Sequence, residues 1–317
     1  MPSGDLERDL ALDAVRVTEA AAIAAVRLVG GGDEKAADQA AVDAMRQALN
    51  GLDIDGKVVI GEGERDEAPM LYIGEKVGTG RGPKIDIALD PLEGTTLCAK
   101  AMANSLAVLA FSPEGGMLHA PDTYMDKIAI GPGYPEGLVD LDADPADNVL
   151  ALARAKGVDT SDIRVLMLDR PRHTQLLASL RKVGARVHMI TDGDIAGVIN
   201  VAQPETGIDM YLGQGAAPEG VLACAALKCV GGFFQGRLVF RNDDERERAT
   251  RIGLTDFTKK YSRDELVRTD AVFAATGVTD GNMLRGVHYD RGFITTETVV
   301  MTSSNRTVRK VHMRRPV

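Results

Sequence analysis

Cysteine is scarce. Three residues, at 98, 224 and 229 of 317, are too few and wrongly spaced for a disulfide framework or a zinc knuckle. Reduced, buried thiols are expected, as in a cytosolic protein. No run approaches the roughly 18 apolar residues that a membrane span needs. Asp5, Glu7 and Asp9 stand where a secretion signal would be basic. The expectation is a cytoplasmic chain with no membrane partner. An excess of positive charge is also missing. The formal net charge is −9, which repels a phosphate-rich polymer and argues against a nucleic-acid partner. A small anion can still bind where local cations or a metal reverse the sign. There is no G-x-S-x-G elbow and no G-x-x-x-x-G-K-[ST] loop, so serine hydrolases and P-loop NTPases are set aside. Gly78-Thr79-Gly80-Arg81-Gly82 is glycine-rich, but no proper G-x-G-x-x-G opens a helix there, which weakens a dinucleotide-binding reading. The histidines at 119, 173, 188, 288 and 312 lack metal-ligand spacing and read as structural. No internal repeat is visible.

What is present is an ordinary globular composition, 44% hydrophobic and 26% charged. The length suits two domains or one large α/β unit. Residues 6–29 carry Ala, Leu and Val at helical spacing and stop at Gly30-Gly31-Gly32. A second helix is expected at 34–50, capped by Asp33. Residues 57–60 read as a short strand, 61–64 as the turn leaving it, and 69–77 as a further helix or strand. Residues 85–90 read as a strand stopped by Pro91, with a short helix opening at 94–96 and another strand at 106–111. The segment 113–145 is rich in Gly, Pro and Asp and reads as loops with hairpins. Strand and helix then alternate: strands at 163–168, 185–190 and 208–212, helices at 171–183, 194–202 and 217–228. That rhythm predicts parallel βαβ units. Strands near 234–240, 270–275, 293–301 and 307–312 follow, with a solvated helix at 242–251. The division is placed near 145, giving 1–145 and 146–317, or one continuous unit.

The strongest chemical signal is Asp90-Pro91-Leu92-Glu93-Gly94-Thr95-Thr96. An Asp at a strand end points out of the sheet edge, where α/β ligands bind. Glu93 can return a second carboxylate to the same spot, and Gly94 lets backbone approach a ligand. Thr95 and Thr96 offer hydroxyls and amides to an anion. A second acidic cluster, Gly61-Glu62-Gly63-Glu64-Arg65-Asp66-Glu67, follows directly on a strand. Asp38 on the second helix and Glu219 at a helix start are further contributors. Carboxylates gathered this closely call for a hard divalent cation with oxygen ligands. Two such ions can flank an in-line phosphoryl transfer. Each residue also has an ordinary role: Asp90 in a turn, Glu62 and Glu64 on a solvated loop, Asp38 on an exposed helix face, and Glu219 complementing a helix dipole.

The long blocks Gly61 to Gly80 and Asp86 to Thr96 resemble the class II fructose-1,6-bisphosphatases of bacteria. So do Ala120 to Tyr124, Arg170 to His173, Asp192 to Asp194, Ala217 to Gly220 and Ala274 to Thr279. The resemblance runs from about residue 10 through nearly the whole chain. It implies an α/β fold of the inositol-monophosphatase and sugar-phosphatase type, a layered α+β sandwich of sheets and helices. It implies hydrolysis of the 1-phosphate of fructose 1,6-bisphosphate, with sedoheptulose 1,7-bisphosphate accepted by some members. It implies two or more Mn²⁺ or Mg²⁺ ions and a homo-oligomer, dimer or tetramer. Carried over by position, Asp38 and Glu62 correspond to ligands of one metal, and Asp90, Glu93 and Glu219 to ligands of a second. Glu93, Gly94 and Thr95 correspond to the phosphate contact. Tyr124, Arg170, Pro171, Arg172, Asp192, Gly193, Asp194 and the backbone at Ala216 correspond to substrate contacts. Three positions depart from the family pattern. Glu34 followed by Lys35 stands where a Lys is common, Arg170 replaces a Lys, and Ala216 replaces a Gly.

The chemistry expected on this basis is in-line attack of an activated water on the 1-phosphorus. Thr95, or Asp66 through Thr95, would take or orient the water's proton, with Glu62 beside it. Arg170 and Arg172 would grip the distal phosphate. Asp192 and Asp194 would bind sugar hydroxyls, while also serving as a turn and a helix cap. The competing readings are a phosphatase of the same fold acting on an inositol or nucleotide phosphate, and a sugar-phosphate sensor without turnover.

Overall fold

The computed structural model describes residues 3–63 and 70–317. In chain order, the first third holds α1 (Ser3–Ala25), α2 (Glu34–Asn50), β1 (Asp55–Ile60), β2 (Lys76–Val77), β3 (Lys84–Glu93), α3 (Thr95–Ala99) and β4 (Leu106–Pro113). Then come β5 (Tyr124–Ile130), α4 (Pro145–Lys156), β6 (Arg164–Leu168), α5 (Thr174–Lys182), β7 (Arg186–Ile190), α6 (Asp194–Ile199), β8 (Met210–Ala216) and α7 (Ala217–Val230). The rest is β9 (Phe233–Val239), α8 (Asp243–Arg251), β10 (Lys260–Ser262), α9 (Arg263–Leu266), β11 (Val272–Gly277), β12 (His288–Asp290), β13 (Phe293–Thr302) and β14 (Thr307–Pro316).

Two compact units result. The first comprises 1–119, 228–230 and 267–317; the second comprises 120–227 and 231–266. The chain leaves the first unit near 119, rejoins it briefly at 228–230 and returns to it near 267; the sequence reading was a division near 145 or one continuous unit.

Among its described residues the first unit is built on an eight-stranded mixed sheet, β12-β13-β11-β4-β3-β1-β2, with β14 along β13. β1 and β3 run parallel and the other pairs antiparallel. The helices α1 and α2 bury one stripe each. Ala14, Val17, Ala21 and Ala25 meet Ala41, Met45 and Leu49 over Ile87, Leu89, Leu109 and Phe111. This is the ordinary way a helix stripe and a sheet face leave water together. α2 starts as expected, because the Asp33 carboxylate accepts from the Ala36 N–H at 3.0 Å.

The second unit holds a six-stranded sheet, β10-β9-β5-β8-β6-β7, among its described residues. β6 runs parallel to both β7 and β8, as the alternation predicts. β5, β9 and β10 are antiparallel additions. One face packs Ile128, Ile130, Met167 and Leu212 against Val149 and Leu152 of α4 and Leu180 of α5. The other face meets α6, where Gly197 approaches Leu166 and Ile190. It also meets α7, where Gly220 approaches Met125. Sheet cores covered by helices make the protein mixed α/β.

Several local expectations are corrected. β3 does not stop at Pro91. It continues to Glu93 through a shift in register, from Asp90 opposite Val108 to Glu93 opposite Leu106. A bulge is where a strand tolerates a residue without an N–H. The stretch 113–145, read as loops with hairpins, contains β5, which pairs with the distant β8 and β9 in the interior of the second sheet. Residues 70–75 are turn, and in the window 69–77 only Lys76–Val77 is strand among the described residues. The helices at 171–183 and 194–202 are shorter than expected, each joined to a 3₁₀ turn, Pro171–His173 and Asn200–Ala202.

Candidate active site

In the first unit, α2 presents Asp38, the turn after β1 presents Glu62, and the bulge of β3 presents Asp90. The three feel one another. Burial, then Asp38, then Asp90 push the Glu62 carboxyl up to about 9. Burial also raises Asp38. Removal from water and like charge both favour the neutral acid. Glu62 is placed by its backbone, whose N–H donates to the Leu71 carbonyl at 3.1 Å. Gly61 is required there, since a Cβ would collide with the same Leu71 carbonyl. Among the described residues no three acidic, thiol or imidazole groups already stand at metal-ligand spacing. The fit to a divalent ion therefore rests on Glu62, whose upward shift arises from burial and two carboxylates, the imbalance a hard cation relieves.

The continuation of β3 sets the phosphate-side residues. Asp90 accepts from the Leu92 N–H at 3.1 Å, which stabilises the bulge. Glu93 is buried, and its carbonyl accepts from Ser105 Oγ at 3.1 Å. Gly94 takes a left-handed conformation, φ +76°, as the cap of α3, and Thr95 is the first residue of that short helix. A side chain at 94 would crowd Leu97. Asp66, expected to orient the water, lies outside the described residues.

In the second unit, Tyr124 opens β5 and two guanidinium groups converge on its ring. Arg172 lies 4.8 Å and Arg241 4.9 Å from the ring centre. Arg172 also donates from Nη2 to the Gln214 carbonyl at 2.7 Å. Arg241 is held by Glu245, whose buried carboxylate also accepts from Thr123 Oγ1 at 2.9 Å and from the Arg241 N–H at 2.7 Å. Those bonds pull the Glu245 carboxyl below its usual range, against the opposing pull of burial. Arg170 follows a different course, donating to the Thr191 carbonyl at 2.6 Å and the Asp169 carbonyl at 3.1 Å. Pro171 begins the 3₁₀ turn between them. His173 is structural: Nδ1 pairs with the Leu168 carbonyl at 2.7 Å while Nε2 accepts from the Gln214 N–H at 2.9 Å. That pattern requires the neutral ring with its proton on Nδ1, and burial lowers its pKa accordingly.

Asp192 caps its own turn, accepting from the Gly193 N–H at 3.1 Å. Gly193, φ +91°, caps α6 in place of the expected acidic cap. The Asp194 carboxylate is buried against Lys127 and the Tyr211 hydroxyl. Ala216 precedes α7 with φ −69°, a conformation that makes no demand for glycine. Glu219 stands in the first turn of that helix.

A sequence model described as bacterial fructose-1,6-bisphosphatase, glpX-encoded, matches residues 8–315. The chain belongs to this family. Among curated relatives, a D-fructose 1,6-bisphosphatase class 2/sedoheptulose 1,7-bisphosphatase of Synechococcus sp. (strain JA-3-3Ab) is 44% identical, covering 98% of this chain and 97% of its own. A fructose-1,6-bisphosphatase 1 class 2 of Escherichia coli (strain K12) is also 44% identical, covering 96% and 95% respectively.

Within the family frame, sequence reasoning missed Arg241 and Glu245. Both sit in or beside the charged stretch 242–251, which looked like a solvated surface. The one available signal was Asn242, a capping residue three positions before Glu245. The Asn–x–x–Glu spacing marks a helix start but says nothing of the carboxylate being buried.

Proposed function

We propose that this chain hydrolyses the 1-phosphate of fructose 1,6-bisphosphate to fructose 6-phosphate, and that it accepts sedoheptulose 1,7-bisphosphate as a second substrate. The observation that carries the reading is the gathering of Asp38, Glu62 and Asp90, whose burial and like charge push the Glu62 carboxyl up. Family membership supports the substrate class. Asp38, Glu62, Asp90, Glu93 and Glu219 would hold Mn²⁺ or Mg²⁺. When bound, the ions would supply charge to polarise the phosphoryl group and lower the pKa of water. Thr95 would orient the attacking water, with Asp66 beside it, and Gly94 would let backbone amides reach the phosphate. Arg172 and Arg241 would bind the distal phosphate above Tyr124, while Asp192 and the Ala216 backbone would orient the sugar. The proposed setting is a cytoplasmic homo-oligomer, dimer or tetramer.

The test is phosphate release with Mn²⁺, Mg²⁺ or chelator, from both bisphosphates and from inositol 1-phosphate and a nucleoside monophosphate. Asp90→Ala runs beside the wild type. Metal-dependent release from the bisphosphates, lost in Asp90→Ala, is expected. Faster release from inositol 1-phosphate or the nucleotide would move the substrate assignment. Tight bisphosphate binding without release would make the chain a sensor.

A further inference from the structure

Lys127 is 0% exposed and Asp194 is 4% exposed, and the two form an ion pair inside the second unit. Tyr211 donates its hydroxyl to the other carboxylate oxygen. A buried pair of this kind is a poor device for stability, because desolvation offsets most of the attraction and an apolar pair packs as well. Its location suggests another use. Asp194 is the residue after the Asp192-Gly193 turn, and Lys127 lies on β5 directly opposite Gly213 of β8.

The pair lies against two more segments. A Cβ at Gly215 would collide with Asp194 Oδ2 and come within 3.1 Å of Lys127 Nζ. A Cβ at Gly220 would come within 3.1 Å of Lys127 Cε. Gly215 precedes Ala216, and Gly220 follows Glu219 on α7. One ion pair therefore touches three segments: the 192–194 turn, the end of β8 and the first turn of α7.

We propose that Lys127 and Asp194 are positioning residues. They clamp the Asp192 turn and the Ala216 backbone at one fixed spacing, so that the sugar of the substrate meets both at once. In this role the two side chains act through the turn and the backbone that they hold. This inference rests on the bisphosphatase reading of the site. It differs from the resemblance, which would make Asp194 a substrate contact.

The experiment is a double-mutant cycle on the full-length, Mn²⁺-loaded protein, with Lys127→Met, Asp194→Asn and the double variant. Melting temperature, kcat and KM for fructose 1,6-bisphosphate are measured for all four. Each single change leaves a buried group without its partner and lowers the melting temperature; the double regains most of it. The clamp predicts that KM rises about tenfold or more in both singles, by similar factors, and stays raised in the double. Wild-type KM in a double variant of restored stability would overturn the proposal, leaving the pair purely structural. An unchanged KM in Lys127→Met beside a raised KM in Asp194→Asn would also overturn it, making Asp194 a direct contact. Amide hydrogen exchange at 192–194 and 213–217 reads the clamp without turnover. If the wild type hydrolyses no bisphosphate, the functional reading fails on its own. Faster exchange in the stable double still supports the clamp, and unchanged exchange refutes it.

Discussion

Arg241 holds its guanidinium carbon 4.9 Å from the centre of the Tyr124 ring, and Arg172 reaches the same ring at 4.8 Å. Two cations gathered on one ring give this place a positive charge that a ligand bearing two negative charges would balance. Glu245 fixes one of them and the Gln214 carbonyl the other. Arg241→Ala and Arg172→Ala should each raise KM for fructose 1,6-bisphosphate about ten- to a hundredfold, as the loss of a charge-assisted hydrogen bond of about 1.5–3 kcal/mol requires. Because the distal phosphate does not react, kcat should change little. Steady-state kinetics of both variants decide the matter. An unchanged KM in either removes that arginine from the phosphate site.

Glu62 makes the metal-free protein sensitive to pH. Its carboxyl sits at about 9 in the folded chain against an ordinary value of 4.5. Between those values the folded protein holds a proton that the unfolded chain has released. Stability of the metal-free protein therefore falls as pH rises from about 4.5 toward 9, and this contribution is absent below that window. Glu62→Gln should raise the metal-free melting temperature at pH 8 and lose that advantage as the pH is lowered toward 4.5. Thermal melts of both proteins in chelator across the range test the sign. The same substitution should abolish turnover if Glu62 holds the ion.

Metal binding should reverse that penalty. An ion among Asp38, Glu62 and Asp90 displaces the Glu62 proton, so Mn²⁺ added at pH 7 to 8 should release protons into a weakly buffered indicator. It should also stabilise the wild type by about 2.7 kcal/mol at a free concentration a hundredfold above its dissociation constant. In Asp90→Asn both signals should shrink together. Stabilisation without proton release would place the ion away from Glu62.

The sequence carried the chemistry of the first unit more openly than that of the second. Asp38, Glu62 and Asp90 come from a helix, a turn and a strand bulge, and local pattern singled out all three as candidates that the structure then brings near one another. The elements with clear periodicity, α2 with its Asp33 cap and the β6–β8 alternation, were equally legible. Pro91 misled because a bulge is a property of two strands, and the register shift opposite Val108 and Leu106 cannot be seen in one. β5 was hidden because Asp126 and Lys127 interrupt its apolar run. Lys127 is nevertheless fully buried, its charge met by Asp194, which lies 67 residues away. Asp194 shows the same limit from the other side. A carboxylate after a turn looks available to a sugar until its distant partners are known.

The thiols should be inert, although Cys98 lies close to the phosphate-side loop. Its N–H donates to the Gly94 carbonyl at 3.0 Å, and its side chain, on α3, is buried. Burial pushes the Cys98 thiol up to about 11, and it pushes Cys229 up as well. A thiolate is the reactive form, so a raised pKa and lack of access act together. Cys224 is also buried. Titration of the native protein with an aromatic disulfide reagent at pH 8 should find no rapidly reacting thiol, and denaturant should expose three. Mild peroxide should leave bisphosphate hydrolysis intact. One equivalent reacting quickly in the native state, with loss of activity, would mean that the Gly94–Cys98 segment opens far more readily than its packing against α1 allows.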